Sequence, residues 1–266
     1  MKLVFVSAAF RRYDVTRLAL AQRAHLCGEL AERGIEATAV IVADDENLDI
    51  AAEFGFAAIE RDNAQLGRKF NDGLEYACVE LEADYVVLIG SDDWMHADLF
   101  DRLPLDVTSE PVPTDESPVV MWSDAPEAIT GREIVLVDLA SGRLRRCRAR
   151  GRYGVIPWIF PRLALLPSGF RPIKDALNIG IDGSLIAGLN CQPEWVFTDP
   201  HDLCRVDFKS DVNLNGYEQI TGAIGYGEEQ SGDDVWITLM SRYPSGLVVD
   251  AQELSDRMRV QARVAA

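Results

Sequence analysis

Two adjacent carboxylates follow an apolar run in the first half of the chain. The run 85–89 is followed by Gly90 and Ser91 and then by Asp92 and Asp93. Continuous apolar runs of this kind are typical of strands buried in a parallel sheet. Ligands of open α/β sheets bind beyond the carboxyl ends of such strands, and carboxylate pairs suit a hard divalent cation that bridges to phosphate. An Asp-rich turn without a ligand is the simpler alternative.

A second segment has the residue types expected around a phosphate group. Residues 63–73 read Asn-Ala-Gln-Leu-Gly-Arg-Lys-Phe-Asn-Asp-Gly and begin a predicted helix. The start of a helix offers free N–H groups and the positive end of the helix dipole, and both suit phosphate. Lys69 would add a charge-assisted contact. A solvated Arg-Lys pair at the helix start is the alternative.

The elements that must position these residues alternate between strands and helices. The predicted strands are 3–7, 36–42, 57–60 and 85–89, and the predicted helices are 15–33, 51–55 and 66–81. This alternation predicts an α/β fold with a largely parallel sheet and right-handed crossovers. The residues that follow the strands then lie at one edge of the sheet, where we expect a nucleoside to bind. They are Ser7, Ala8 and Ala9 after the first strand, and Asp44 and Asp45 after the second.

The later part of the chain has weaker patterns. A short helix is predicted over 94–100, a proline-rich loop over 104–118, and strands over 119–122 and 134–139. A hairpin strand is predicted over 143–150, a helix from 184 and an amphipathic helix over 250–264. Arg146, Arg148, Arg150 and Arg152 would share a face of the hairpin. That face either pairs with acids elsewhere and is solvated, or it contacts an anionic donor or acceptor.

Composition excludes several classes of protein. The 266 residues carry a formal net charge of −17, which argues against broad binding to nucleic acid. No apolar run approaches the ~20 residues needed to span a bilayer. The five cysteines form no CxxC pair, and an odd, scattered set favours free thiols in a reducing compartment, so we expect a cytoplasmic protein. The sequence also lacks the Gly-x-Ser-x-Gly and GxxxxGK[ST] motifs of hydrolases and P-loop kinases.

The order of these motifs resembles the GT-A glycosyltransferases, especially the inverting family 2. The resemblance rests on Asn63, Gly67, Lys69, Asn71 and Gly73, then on 83–85 and on Gly90-Ser91-Asp92-Asp93, and it covers residues 2–190 in patches. It implies a Rossmann-like GT-A fold, a nucleotide-diphosphate sugar donor, and Mn²⁺ or Mg²⁺ held at a DxD-like motif. Donor-binding residues would include Gly67, Lys69, Asn71, Ser91 and Asp92, and metal ligands Asp92 and Asp93. Gly90 stands where the family has the first acid of this motif.

The resemblance continues into the second half of the chain. Phe160-Pro161-Arg162, Gly169-Phe170 and Gly180-Ile181-Asp182 are similar to the family segment whose last acid is the catalytic base. It implies that Asp182 is the general base, although Ile181 replaces the usual Glu and an N-cap role for Asp182 is the alternative. Some members use a downstream histidine as a metal ligand, which makes His201 a candidate beside its alternative as a turn residue.

We therefore expect one domain with two halves and a tail. Residues 1–110 would bind the nucleotide sugar, 111–215 would bind the acceptor, and 216–266 would form a C-terminal helical extension. The expected reaction is metal-dependent transfer of a sugar to an acceptor hydroxyl on a glycan, protein or small molecule. A sugar-phosphate nucleotidyltransferase and a non-catalytic nucleotide-sugar-binding protein are the alternatives.

Overall fold

The computed structural model describes residues 1–44, 46–102, 129–131, 133–148, 155–189, 194–196, 205–210 and 216–265. The strands are β1 (Lys2–Ala8), β2 (Glu36–Ala43), β3 (Ala57–Glu60), β4 (Tyr85–Leu88), β5 (Asp93–Met95), β6 (Ile129–Gly131), β7 (Glu133–Asp138), β8 (Arg143–Arg148), β9 (Val155–Pro161), β10 (Glu194–Val196), β11 (Arg205–Lys209) and β12 (Gly225–Ser231). The helices are α1 (Tyr13–Glu32), α2 (Glu46–Glu53), α3 (Leu66–Val79), α4 (Arg162–Leu165), α5 (Ile181–Leu189), α6 (Tyr217–Ile224), α7 (Asp233–Met240) and α8 (Ser245–Ala265).

The larger sheet has the strand order β10-β6-β9-β4-β1-β2-β3. Strands β1, β2, β3 and β4 are parallel, β10 is parallel to β6, and β9 is antiparallel to both β4 and β6. The α/β fold with a mostly parallel, Rossmann-like sheet is therefore confirmed. The carboxyl ends of β1, β2 and β4 meet at one edge, as the strand pattern predicts.

Helices cover both faces of this sheet because its strands are apolar on both sides. Leu3 and Phe5 of β1 pack into a core with α1 and α2, whereas Val4 and Val6 pack into a second core with α3 and α5. All four side chains are fully buried. A continuous apolar run is what such a doubly covered strand requires.

The second sheet has the order β12-β8-β7-β11-β5. Its strand β5 directly follows β4 of the larger sheet along the chain. The chain leaves β4 at Leu88, and β5 begins at Asp93 and pairs antiparallel with β11. Trp94 of β5 is fully buried beside Phe208 of β11, with ring centroids 4.8 Å apart. Residues 89–92 therefore form the connection between the two sheets, and the aspartates lie at this connection.

Two predicted helices differ from the structure. The segment 94–100 was expected to be helical, but residues 93–95 form β5 and a 3₁₀ helix covers Ala97–Arg102. The pairing partner of β5 lies more than 100 residues away, so no local pattern indicates this strand. Helix α2 begins at Glu46, earlier than the predicted 51–55, and Asn47 donates a hydrogen bond to the Arg11 carbonyl at 3.3 Å.

The predicted hairpin and C-terminal helix are confirmed. Strands β7 and β8 pair antiparallel, and helix α8 covers the predicted 250–264. Helices α7 and α8 pack against the second sheet and α1. Within the described parts of the chain, no helix combines the length and the apolar composition needed to cross a membrane. The predicted loop 104–118 and strand 119–122 lie outside the described residues.

Two helical glycines provide a matched test of how closely α3 packs on the sheet. A Cβ added at Gly73 of α3 would lie 2.5 Å from Val6 Cγ1, whereas one at Gly28 of α1 would meet nothing within 4 Å. We expect Gly73→Ala to lower the free energy of unfolding by about 1–3 kcal/mol through overpacking. Gly28→Ala should raise it by about 0.5–1 kcal/mol, because alanine favours the helix. Urea unfolding measures both, and equal stabilisation by the two substitutions would contradict the close approach.

Candidate functional site

Three carboxylates come together where the two sheets join. Asp93 of β5 lies opposite Asp207 of β11 in the antiparallel register, and Asp92 precedes β5. One carboxylate oxygen from each residue lies within 4.8 Å of the others. The exposed fractions are 7% for Asp92, 6% for Asp93 and 9% for Asp207. We call these three residues the acidic cluster.

Gly90 makes room for the acidic cluster. A Cβ added at this position would lie 2.7 Å from Asp93 Oδ2 and 2.8 Å from Asp92 Oδ1, and real Cβ atoms do not approach so closely. The Gly90 N–H donates a hydrogen bond to Asp93 Oδ2 at 2.9 Å. An acid at position 90, as in the usual motif, would displace both carboxylates. In this chain the glycine is therefore part of the site, and Asp207 from another strand supplies the third carboxylate.

Basic side chains surround the acidic cluster. Arg12 Nη1 donates to Asp92 Oδ2 at 2.6 Å, and Lys209 Nζ lies 2.5 Å from Asp207 Oδ2. Arg12 and Arg11 both have positive φ, near 50°, which non-glycine residues adopt infrequently. This backbone turn after β1 directs the Arg12 guanidinium towards Asp92.

Burial and mutual repulsion raise the pKa values of Asp93 and Asp207. Burial is the largest cause of the rise in the pKa of Asp93 to about 8, followed by the charges of Asp207 and Asp92. Burial also raises the pKa of Asp207, although Lys209 opposes this. Conversely, burial lowers the pKa of Lys209, but Asp207 and Asp92 raise it above its ordinary value. The cluster therefore favours additional positive charge.

The acidic cluster fits a hard divalent cation. Among the described residues, Asp207 Oδ1 is buried and has no hydrogen-bond partner. A buried carboxylate oxygen without a partner is costly, and a cation ligated by oxygens would relieve this cost. The donor set of carboxylate oxygens matches Mg²⁺ and Mn²⁺. His201, the third ligand expected from the sequence, lies outside the described residues.

Asp182 lies in the first turn of α5, apart from the acidic cluster. Its Oδ1 accepts a hydrogen bond from Trp158 Nε1 at 2.7 Å. Asp182 is the second residue of the helix, and the described partner of its side chain is Trp158 of β9, not a helix N–H, so the described geometry does not support the N-cap alternative. Burial raises the pKa of Asp182, and the hydrogen bond from Trp158 and the charge of Arg205 partly oppose this.

Arg205 connects Asp182 electrostatically with the acidic cluster. It is 3% exposed, and the charges of Asp93, Asp207 and Asp182 all act on its guanidinium. Burial nevertheless lowers its pKa to about 10. The charges of Asp182 and of two members of the acidic cluster therefore act on one buried cation.

The ends of β1 and β2 lie at the predicted sheet edge, with different surroundings for each residue. Ser7 is fully buried, and its Oγ accepts a hydrogen bond from Arg23 Nη1 at 2.7 Å. The Ala9 carbonyl accepts from Lys69 Nζ at 3.0 Å. Ala8 and Asp44 are partly exposed, and Asp45 lies outside the described residues. A nucleoside at this edge would therefore reach Ala8 and Asp44 more readily than the Ser7 hydroxyl.

The start of α3 does not have the free N–H groups that the phosphate interpretation requires. The N–H groups of Leu66, Gly67 and Arg68 already donate to Asn178, Leu177 and Asp175. A Cβ at Gly67 would lie 2.2 Å from the Lys174 carbonyl oxygen, so only glycine permits this contact. This arrangement does not favour the phosphate contact expected of Gly67, which stays a prediction, because the segment 174–178 occupies the helix start.

Asn71 and Lys69 also have internal partners. Asn71 Nδ2 donates to the Ile173 carbonyl, and its Oδ1 accepts from the Ile173 N–H at 3.1 Å. Lys69 is 1% exposed and also donates to Asn63 Oδ1 at 3.1 Å. Burial is the main cause that lowers the Lys69 pKa. Asn71 thus anchors the segment that leads to Asp182, and Lys69 anchors the end of β1, instead of lying open to a donor.

Sequence reasoning missed Asp207, Lys209 and Arg205. These three alternate with Val206 and Phe208, so they lie on one face of β11. All five residues of β11 are buried. The alternation of charged and apolar residues was the available signal, but on its own it equally describes a strand with a solvated face.

The arginine-rich strand β8 has partners within the chain. Arg143 pairs with Glu218 at 2.5 Å and with Asp138 at 3.5 Å, and Arg148 lies over the Tyr226 ring at 5.1 Å. Arg143 is not one of the four arginines of the predicted face, and the described contact of Arg148 is with an aromatic ring, so both interpretations of that face stay predictions. Arg150 and Arg152 lie outside the described residues.

Comparison with known proteins gives similar folds without a family assignment. No protein-family model and no curated protein sequence matches the chain. A similar solved structure is S. aureus TarS 1–349 in complex with UDP. It is 12% identical in sequence, has a TM-score of 0.46, and matches over 98% of this chain and 70% of that one.

Two other solved structures are also similar. A Drosophila β1,4-galactosyltransferase 7 mutant with manganese, UDP-Gal and xylobiose has 9% identity and a TM-score of 0.44, and the match covers 73% of this chain and 64% of that one. The 4-diphosphocytidyl-2C-methyl-D-erythritol synthase of Anaerococcus prevotii has 9% identity and a TM-score of 0.41, and the match covers 84% of this chain and 96% of that one. These are likenesses of fold, and at TM-scores below 0.5 they carry no argument about chemistry.

Proposed function

We propose that this protein is a metal-dependent glycosyltransferase that moves a sugar from a nucleotide-diphosphate donor to an acceptor hydroxyl, with inversion and with Asp182 as the general base. The observation that carries this proposal is that the buried acidic cluster and the partly buried Asp182 are two distinct carboxylate groups. The acidic cluster suits a divalent cation, and Asp182 is a single carboxylate with a raised pKa. Transfer of a sugar needs both functions at different atoms.

The leaving diphosphate needs positive charge. A bound Mg²⁺ or Mn²⁺ would supply Lewis-acid stabilisation of that phosphate. Asp93, Asp92 and Asp207 would hold the ion, and Arg12 keeps Asp92 in position through its 2.6 Å contact. Donor binding would use the edge formed by β1 and β2, with Ala8 and Asp44 near the nucleoside, since ligands of parallel sheets bind beyond these strand ends. The halves 1–110 and 111–215 would thus serve donor and acceptor.

The acceptor hydroxyl needs a base within hydrogen-bond reach, because its own pKa is far above neutrality. Asp182 supports this role through its raised pKa, which makes it a better proton acceptor than an ordinary aspartate. The Trp158 N–H holds one carboxylate oxygen at 2.7 Å, and the second oxygen would accept the proton of the acceptor hydroxyl. Hydrogen bonds to α3 hold segment 171–178 in place, and this segment leads to α5.

The proposed activity is tested by incubation with a panel of nucleotide-diphosphate sugars and simple acceptors, with Mn²⁺ or with chelator. Metal-dependent release of nucleoside diphosphate would support the proposal. Release of pyrophosphate from nucleoside triphosphate and sugar 1-phosphate would instead indicate the nucleotidyltransferase. Binding of nucleotide sugar with no turnover across acceptors would indicate a non-catalytic protein.

Asp93→Asn should remove metal-dependent donor binding and leave the fold intact. The substitution removes a charged ligand at the cluster, whereas the amide oxygen can still accept the hydrogen bond from the Gly90 N–H. Calorimetry with nucleotide sugar, with Mn²⁺ and with chelator, measures the effect. Asp84→Asn is the matched control, because Asp84 bonds to the Lys2 N–H at the opposite edge of the sheet. Equal metal-dependent affinity in Asp93→Asn and wild type would contradict the role.

Asp182→Asn should lower turnover by about 10²- to 10⁴-fold, the usual contribution of a positioned base. Nucleotide-sugar affinity and the melting temperature should change little, because the amide is close to isosteric and its Oδ1 can still accept from Trp158. Steady-state kinetics with saturating donor separates turnover from binding. Turnover at the wild-type rate would place the base elsewhere.

Trp158→Phe should move the acidic limb of the pH–rate profile to higher pH. A hydrogen bond donated to the ionised carboxylate lowers the pKa of Asp182, so its loss raises that pKa further. Since a base acts when deprotonated, activity should then appear only at higher pH. The profile of kcat/KM between pH 4 and 9 measures this, and a uniform loss at every pH would indicate a packing defect instead.

A further inference from the structure

Strand β11 places a lysine and an aspartate side by side at the acidic cluster. Asp207 and Lys209 lie two residues apart on the same face of the strand, and they are 9% and 8% exposed. Lys209 Nζ lies 2.5 Å from Asp207 Oδ2. Lysine and aspartate are almost never buried unless they are paired, so this contact is what permits their burial.

The other oxygen of Asp207 remains available. Among the described residues, Oδ1 has no hydrogen-bond partner, and Asp207 contributes an oxygen to the group within 4.8 Å of Asp92 and Asp93. The ammonium of Lys209 therefore holds one oxygen of Asp207, and the other oxygen is buried without a described partner. A divalent cation bound by the three carboxylates would approach that ammonium closely.

Two cations close to one buried carboxylate repel each other strongly, because the surrounding dielectric is low. In the described structure, Lys209 and Arg12 each pair with one of the three carboxylates, and the charge of Arg205 also acts on Asp93 and Asp207. An incoming ion thus meets a cluster with much less than its full charge. A bound diphosphate would add negative charge and offset the repulsion.

We propose that Asp207 is a third carboxylate ligand of the divalent cation, and that Lys209 competes with this cation for Asp207 in the free protein. Tight uptake of the metal then requires the nucleoside diphosphate to bind as well. The inference rests on the proposed metal-dependent function. It adds Lys209 as the residue that makes metal binding depend on the bound donor.

The test measures Mn²⁺ binding to the full chain by electron paramagnetic resonance, without nucleotide and with UDP. Lys209→Met and Lys209→Gln should each raise the affinity of the nucleotide-free protein by about tenfold or more, as expected when a close competing charge is removed. UDP should then increase the affinity less than in wild type. Lys2→Met is the control, because it also removes one positive charge, from a pair with Glu36 at 3.4 Å on the opposite sheet edge.

A double substitution identifies Asp207 as the contested ligand. Asp207→Asn should weaken Mn²⁺ binding at least about tenfold in the presence of UDP, as loss of a charged ligand predicts. In the pair Asp207→Asn with Lys209→Met, the gain caused by Lys209→Met should disappear, because the two effects share one carboxylate. Circular dichroism spectra and melting temperatures establish that each variant is folded before its affinity is compared.

The outcomes separate this inference from the proposed function. If folded Lys209→Met and Lys209→Gln bind Mn²⁺ no more tightly than Lys2→Met, the competition is refuted, and metal-dependent transfer by the wild type remains possible. If Asp207→Asn binds like wild type, Asp207 is not a ligand. If Lys209→Met binds Mn²⁺ tightly but wild type transfers sugar equally well with chelator, the inference holds and the metal-dependent function fails.

Discussion

The burial of three like charges at one point is the constraint on which this site depends. Asp92, Asp93 and Asp207 lie within 4.8 Å of one another and are nearly buried. Such a group is stable only when protons or cations compensate it, since burial and repulsion both oppose ionisation. Arg12 and Lys209 supply part of this compensation. The incomplete balance, visible in the Asp93 pKa of about 8, is what makes the site suited to a further cation.

The same constraint explains features that otherwise look like departures from a motif. A side chain at position 90 would collide with the carboxylates of Asp92 and Asp93, so this position is a glycine and offers no third acid. The third carboxylate comes from β11. The site thus obtains its third acid from a distant strand instead of from its own loop. Arg205 extends the arrangement towards Asp182, because the charges of Asp93, Asp207 and Asp182 all act on its guanidinium.

The residues that hold α3 in place are different from the groups near the acidic cluster. Close contacts of Gly73 with β1 and of Gly67 with segment 174–178 fix α3 between the sheet and the approach to α5. Asn71 completes this anchoring through both of its side-chain polar atoms. The residues that resemble a donor-binding helix start therefore act in this structure as supports, and the groups near the acidic cluster remain for chemistry. Rigid positioning of this kind lets a base act without reorganisation.

The sequence by itself determined the local elements and one half of the site. Apolar runs and helical periodicity predicted β1 to β4 with α1 and α3, and the position after β4 predicted Asp92 and Asp93, because these signals depend on neighbours in the chain. Only the tertiary structure decided that residues 93–95 form a strand, and that β11 brings Asp207 and Lys209 to the cluster. That pairing joins residues more than 100 positions apart, and no local pattern distinguishes a buried charged strand from a solvated one. No local pattern indicated that the N–H groups at the start of α3 already have partners, since these partners come from the distant segment 174–178.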